Sequence, residues 1–440
     1  MADGKAMSDK ILRTLEKIIN RDPDLQEFSI IPTEDNTKNK SPVLYEQHNV
    51  GLESWCVKHV YNYACSILFD HKEMLSKRKM STSKMESLNT LLIGAILINP
   101  DVGTFWNMRR ILVELDVLSV DRELHFSKIV LTHKSKSNEA FSYRRWLLKR
   151  ILTKISENDL HAPLSLLQNE LMVVHMASEK SPNNYHSWSH RIWCMENIAA
   201  CSPSIGDIVY SELNYSQEWI NTHVSEHSGY HYRQYLLKLV RSHRKIVLVF
   251  ESFYNFVIKQ LDLINDGEFS NLLVYLLGKQ HKTGLLEETN SYINYVSLLL
   301  YDLFILVNKL NKLFPEHESL FYHRRFLVYH LLKLAYDYHD VDFQARNRVN
   351  QSSINPSDDK NIVRSDVVVS MKSTGGEDCV AWPRSFKMPL NKVESCQLYR
   401  IVVNAEKHFV SENMIGICSA VQIELAKRYQ KWLKYVIGFE

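Results

Sequence analysis

Two short segments carry the side chains best suited to chemistry. His133-Lys134-Ser135-Lys136 places three basic groups within four residues, and Asn184-Tyr185-His186 sets an amide, a phenol and an imidazole side by side. By residue type alone the first reads as solvated turn charge and the second as packing. Histidine pairs His186/His190 and His227/His231 stand at i and i+4, a spacing that puts both rings on one helix face and suits zinc. Neither pair has the glutamate that follows the first histidine in His-Glu-x-x-His, and no third ligand is suggested, so no metal is expected in this chain. There is no glycine-rich phosphate loop and no serine or cysteine nucleophile with a placed base.

The elements that must position these residues are helical. Only 13 glycines and 11 prolines occur in 440 residues, so long helices are seldom broken. One pattern recurs: an aromatic residue, two variable residues, then arginine. It stands at Trp106/Arg109, Phe141/Arg144, Trp188/Arg191, Tyr230/Arg233 and Phe321/Arg324. The aromatic positions lie 35, 47, 42 and 91 residues apart, and a decayed copy at Phe269 divides the last gap. Phe141, Arg144, Leu148 and Ile151 fall on one helical face, as do Leu164, Leu167, Leu171 and Val174. Pro182 and two asparagines in the segment that joins the second of these stretches to Trp188 supply turn chemistry. The period fits stacked helix pairs, an all-α superhelix or solenoid of helical hairpins. The aromatics are expected to wedge between layers, with each arginine pairing a carboxylate or helix C-terminus of the next layer.

The expected organisation is an N-terminal extension over 1–42, a helical-repeat solenoid over 43–346, a disordered insertion over 347–390 and closing helices over 391–440. Repeats are expected near 99–115, 132–152, 179–199, 224–240, 265–280 and 314–332. Within the first part, Ser8–Asn20 reads as a short helix and Arg21–Pro42 as polar loop, and Val43–Leu75 reads as helix. The insertion is rich in Ser, Asn, Asp, Gly and Pro.

A net charge of +3 gives no case for nucleic acid as the main partner. The seven cysteines are scattered, with no Cys-x-x-Cys, as expected of reduced thiols in the cytosol or nucleus, and a cytoplasmic location is expected. Residues 1–10 lack the apolar core of a signal peptide. The apolar stretches Leu88–Ile98 and Ile293–Val307 are too short or too broken for a transmembrane segment.

The repeats resemble the protein prenyltransferase α-subunit repeat, whose signature is roughly Pro-Lys-Asn-Tyr-x-x-Trp-x-x-Arg-Arg. Pro182-Asn-Asn-Tyr-His-Ser-Trp188-Ser-His-Arg191 is a near match, and the likeness covers about Asn99 to Leu332. The resemblance implies a crescent of helix pairs around a β subunit that holds zinc and the isoprenoid pocket. Zinc there activates an acceptor cysteine as thiolate, and the α crescent contributes cations and donors around the departing diphosphate. Residue by residue, it places Lys136 at the diphosphate, five residues before Phe141. It keeps Asn184, also a diphosphate-binding position, and puts Tyr185 and His186 at the active site. Two departures stand out. Asn183 replaces a family lysine, and Ser137-Asn138 replaces an Asn-Tyr pair whose tyrosine faces the isoprenoid. The resemblance implies a protein geranylgeranyltransferase subunit, inactive alone. Its partners would be the β chain of the Rab-type enzyme, an isoprenoid diphosphate and an acceptor protein bearing a cysteine. The competing reading is a non-catalytic helical-repeat scaffold for protein–protein interaction.

Overall fold

In this computed structural model the described residues are 2–33, 39–155, 162–242, 295–334, 397–414 and 418–438. The decayed repeat near 265–280 and the insertion over 347–390 lie outside them. The chain divides into two compact units, Met1–Ile208 and Val209–Glu440.

The first unit opens with α1 (Ala2–Arg21), followed by β1 (Glu27–Ile31), β2 (Val43–Glu46) and β3 (Asn49–Glu53). Then come α2 (Ser54–Ser76), α3 (Thr82–Ile98), α4 (Gly103–Glu114), α5 (Val120–His133), α6 (Asn138–Leu152), α7 (Ala162–Lys180) and α8 (Tyr185–Asn197). Helix α3 is buried almost all round because α1, α2, α4 and α5 surround it. Gly94 lets α1 come close: a Cβ there would sit 2.0 Å from a Leu12 methyl, which would have to move. Helices α5–α6 and α7–α8 pair as hairpins. In addition α4 packs on α6 and α6 on α8, while α5 packs on α7. The hairpins therefore stack as two layers, the first helix of each in one layer and the second in the other.

The structure corrects two expectations at the N-terminus. Arg21–Pro42 is not all loop, and Val43–Leu75 is not helical from its start. Three short strands form a sheet in the order β1-β3-β2, with β1 parallel and β2 antiparallel to β3. The sheet buries Phe28, Val50 and Leu52, and β1 packs on α5. The β2–β3 turn uses Gln47 and His48, both at positive φ (47° and 65°). Asparagine or glycine usually marks such a turn in a sequence, and neither is present. Helix α1 is also longer than the expected Ser8–Asn20, and Leu12 and Leu15 are fully buried in the core.

The second unit holds most of α9 (Ile205–Thr222), then α10 (His227–Ser242), a helix over 295–313 and a helix over 318–334. Helices Gln397–Met414 and Ala420–Trp432 pair with each other near the C-terminus. A π-helical stretch, Asp302–Val307, interrupts the third of these. The fold class is all-α, built of helical hairpins of the solenoid class, with the small sheet as an addition.

Candidate functional site

The repeat arginines are structural, and the structure names their partners. Arg109 donates to both oxygens of Glu123 at 2.7 and 2.6 Å. Arg144 does the same to Glu170 at 3.1 and 2.5 Å, and Arg233 to Asp302 at 2.7 and 2.6 Å. Arg324 closes on Glu406 with two bonds of 2.8 Å. All eight side chains are at most 3% exposed. Each carboxylate lies on the first helix of a hairpin and accepts from the arginine of the preceding pair. A third group completes the cluster. It is the residue just before the next repeat arginine or, near the C-terminus, Tyr429: Tyr143 bonds Glu123 and Tyr429 bonds Glu406, and Tyr232 in the same position bonds Glu212 of α9. In two repeats histidine takes the tyrosine's place, with His190 on Glu170 at 3.0 Å and His323 on Asp302 at 3.1 Å. Arg191 is likewise buried, its guanidinium 3.5 Å from the Leu171 carbonyl. Trp106, Phe141, Trp188, Tyr230 and Phe321 are each at most 2% exposed.

This arrangement fixes α6 and α8 to one another through α7, since Glu170 holds Arg144 of one and His190 of the other. The N-termini of α6 and α8 carry the candidate site. Ser137 caps α6, accepting from the Ala140 amide, and Asn184 caps α8, accepting from the Ser187 amide at 3.2 Å. The preceding turns are tied together: Asn184 Nδ2 donates to the Ser135 carbonyl at 2.7 Å, and the Ser135 and Ser181 hydroxyls are 2.7 Å apart. Lys136 and the Tyr185-His186 pair thus flank two joined turns. Lys136 is exposed, Tyr185 is 57% exposed and His186 is half-buried. The two rings of the pair meet edge to face at 5.9 Å.

The Asn184 side chain serves the turn itself. The side chain is fully buried, its oxygen is the cap, and its nitrogen serves Ser135 and the Ala177 carbonyl at 3.1 Å. Asn183, in place of the family lysine, adopts φ 53°, a left-handed conformation asparagine tolerates. Asn138 lies exposed on the first turn of α6.

Sequence reasoning missed the surroundings of these turns. Strand β1 runs beside the end of α5, where the Phe28 amide donates to Thr132 Oγ1 at 3.1 Å and Phe28 meets His133 edge to face at 5.4 Å. Lys180, the last residue of α7, donates to Glu27 at 2.7 Å and to the Thr132 carbonyl at 3.1 Å. Burial, with Lys134 and Lys180 nearby, holds His133 below the usual histidine range.

Among the described residues one group has metal-ligand chemistry: Glu170, His190 and Cys194, with donor atoms within 4.8 Å of one another. It does not fit zinc. Arg144 already occupies both Glu170 oxygens, and a dication would sit against that guanidinium. Burial opposes the Glu170 charge, but Arg144 and His190 outweigh it and hold the carboxyl at about 2. Burial and the Glu170 charge push the Cys194 thiol far up, away from the thiolate that metals bind. The same place holds tyrosine at Tyr143 and Tyr232 and histidine again at His323, so this is the ordinary repeat cluster.

Four segments, 120–151, 167–198, 209–240 and 300–331, match the family described as protein prenyltransferase alpha subunit repeat. Each segment spans one helical hairpin and ends on the helix with the repeat arginine. These hairpins are protein prenyltransferase alpha subunit repeats. The chain is similar to the protein prenyltransferase alpha subunit repeat-containing protein 1-B of Xenopus laevis, 26% identical over 98% of this chain and 97% of that one. The repeat-containing protein 1 of Homo sapiens is 28% identical over 73% of this chain and 77% of its own. The geranylgeranyl transferase type-2 subunit alpha of Saccharomyces cerevisiae is 27% identical over 38% of this chain and 50% of its own. The copy at Trp106/Arg109 lies outside the matched segments, yet Arg109 binds Glu123 as the other repeat arginines bind their acids. No described helix is long and apolar enough to cross a membrane.

Proposed function

We propose that this chain is the α-type subunit of a heterodimeric protein prenyltransferase. In this reading a zinc-bearing β chain of the Rab-type geranylgeranyltransferase supplies the isoprenoid pocket and the activated cysteine. The complex transfers geranylgeranyl from its diphosphate to a protein cysteine in the cytoplasm. The observation that carries the reading is the pair of joined turns, with exposed Lys136 on one and exposed Tyr185 and half-buried His186 on the other. An ammonium suits the negative charge that gathers on a departing diphosphate, and a phenol and an imidazole suit hydrogen bonds to it or to the substrate. The choice of geranylgeranyl rests on the likeness to the yeast subunit over part of the chain.

A non-catalytic scaffold is the second reading. Asn184 favours it, since a position with a ligand role in the family is here fully committed to the turn. Co-purification with a prenyltransferase β chain, followed by an isoprenoid transfer assay, separates the two. A stable complex with transfer activity supports the enzyme; a chain that binds no β chain and supports no transfer leaves the scaffold.

A further inference from the structure

Lysine is missing from the turn before α8, where Asn183 stands in its place. Another lysine lies three residues earlier. Lys180 ends α7 next to Ser181, whose hydroxyl meets that of Ser135, the residue between Lys134 and Lys136. The Lys180 ammonium itself donates to the carbonyl of Thr132, the residue just before the basic run. It has three N–H donors, and two are engaged among the described residues, by Glu27 and by the Thr132 carbonyl. The Glu27–Lys180 pair is 44% and 34% exposed. A pair that open to water is weak, and a multiply charged anion would compete for the lysine.

Glu27 belongs to β1, which is no part of the repeat pattern. The strand is held in place by its pairing with β3, from Glu27 opposite Asn49 to Ile31 opposite Glu53. The Phe28 amide bond to Thr132 fixes it against α5. The carboxylate is thus delivered to the edge of the candidate site by a separate, anchored element.

We propose that Lys180 is a further diphosphate-binding cation of the joined turns, and that Glu27 of the N-terminal sheet competes with the diphosphate for it and so sets its affinity. The proposal rests on the functional reading above for the identity of the anion. When diphosphate arrives, the Lys180 ammonium exchanges Glu27 for a phosphate oxygen and keeps the Thr132 carbonyl. No bond is made or broken in the protein.

Titration of the full-length chain with inorganic diphosphate at low ionic strength tests it, with thermal melts confirming that each variant is folded. Glu27→Gln keeps the shape and removes the competing charge, and should tighten binding about threefold to tenfold, the scale of one unit charge acting on a polyanion across a wet surface. The gain should shrink at high salt. Lys180→Gln should weaken binding, and in its presence Glu27→Gln should give no gain. Wild-type affinity in Glu27→Gln, a gain that survives in the double variant, or no diphosphate binding by any variant overturns the proposal. The two readings fail separately. If Glu27→Gln is silent but Lys136→Ala slows isoprenoid transfer by the reconstituted complex, this inference falls and the enzyme stands. If Glu27→Gln tightens diphosphate through Lys180 but no β chain supports transfer, the anion site stands and the prenyltransferase reading falls.

Discussion

Arg144 and Glu170 meet through two parallel hydrogen bonds, 3.1 and 2.5 Å, with both side chains at most 3% exposed. The pair joins α6 to α7, and His190 joins the same carboxylate to α8. Removing one partner leaves a buried charge without its counterion, so Arg144→Ala or Glu170→Ala should destabilise by about 3–5 kcal/mol. Replacing both by apolar residues of similar size, Arg144→Met with Glu170→Leu, should cost much less than either single alanine. Urea unfolding of the three variants checks this. Equal losses in single and double variants would show that packing, not charge compensation, dominates.

Trp188 is 1% exposed, and its neighbour in the pattern, Arg191, lies over its ring at 5.9 Å. Trp188→Ala should cost about 3–5 kcal/mol through the cavity it leaves. Any loss of function should track the loss of folded protein. A stable Trp188→Ala chain with lost activity would give the tryptophan a direct role instead.

The repeats were legible in the sequence because their arginines and aromatics recur at helical-hairpin spacing. The partners were legible too, though unnoticed. An acid stands 20 residues before Tyr143, His190 and Tyr232, and 21 before His323. The first copy has Met108 in that place. The helix before it presents Asn89 to Arg109 rather than a carboxylate, so nothing there calls for a donor. The sheet was not legible. Its strands are four or five residues long, their alternation is brief, and their turn uses Gln47-His48. The capping role of Asn184 was not legible, because a cap and a ligand-binding asparagine look alike in sequence. Only its three hydrogen bonds, all to backbone groups, distinguish them.

Acid should destabilise the first and second units alike. Burial keeps His190 and His323 below the usual histidine range. Burial together with Lys238, Arg241 and Lys333 takes His330 down to about 3 from 6.5. The unfolded chain therefore binds more protons than the folded one below about pH 6.5. Stability should fall from there toward pH 3, by up to about 1.4 kcal/mol per pH unit for each such histidine. Glu170 adds a second loss between its ordinary 4.5 and about 2. Urea midpoints at pH 7.5 and 5.5 check the first window. His330→Gln should flatten the slope, and an unchanged slope would remove His330 from the account.

The isolated chain should bind no stoichiometric zinc. Its one described cluster of donors, Glu170-His190-Cys194, is closed by Arg144 and holds a neutral thiol. Metal analysis of the pure chain after dialysis checks this. One tight ion per chain would mean that Arg144 is displaced or that ligands lie elsewhere.

Lys136→Ala should slow isoprenoid transfer by a reconstituted complex while leaving the fold intact. Lys136 is exposed on the turn before α6. As the carbon–oxygen bond to diphosphate breaks, negative charge grows on the bridging oxygen. A nearby ammonium then stabilises the transition state more than the bound substrate. Losing one such group costs on the order of 3 kcal/mol, about a hundredfold in rate. Lys136→Arg should recover part of it, since the contact uses charge more than shape. Tyr185→Phe and His186→Ala remove neutral donors and should cost less. Single-turnover transfer with saturating acceptor protein measures all four. A wild-type rate for Lys136→Ala would make the run from His133 to Lys136 solvated turn charge and remove the lysine from the chemistry.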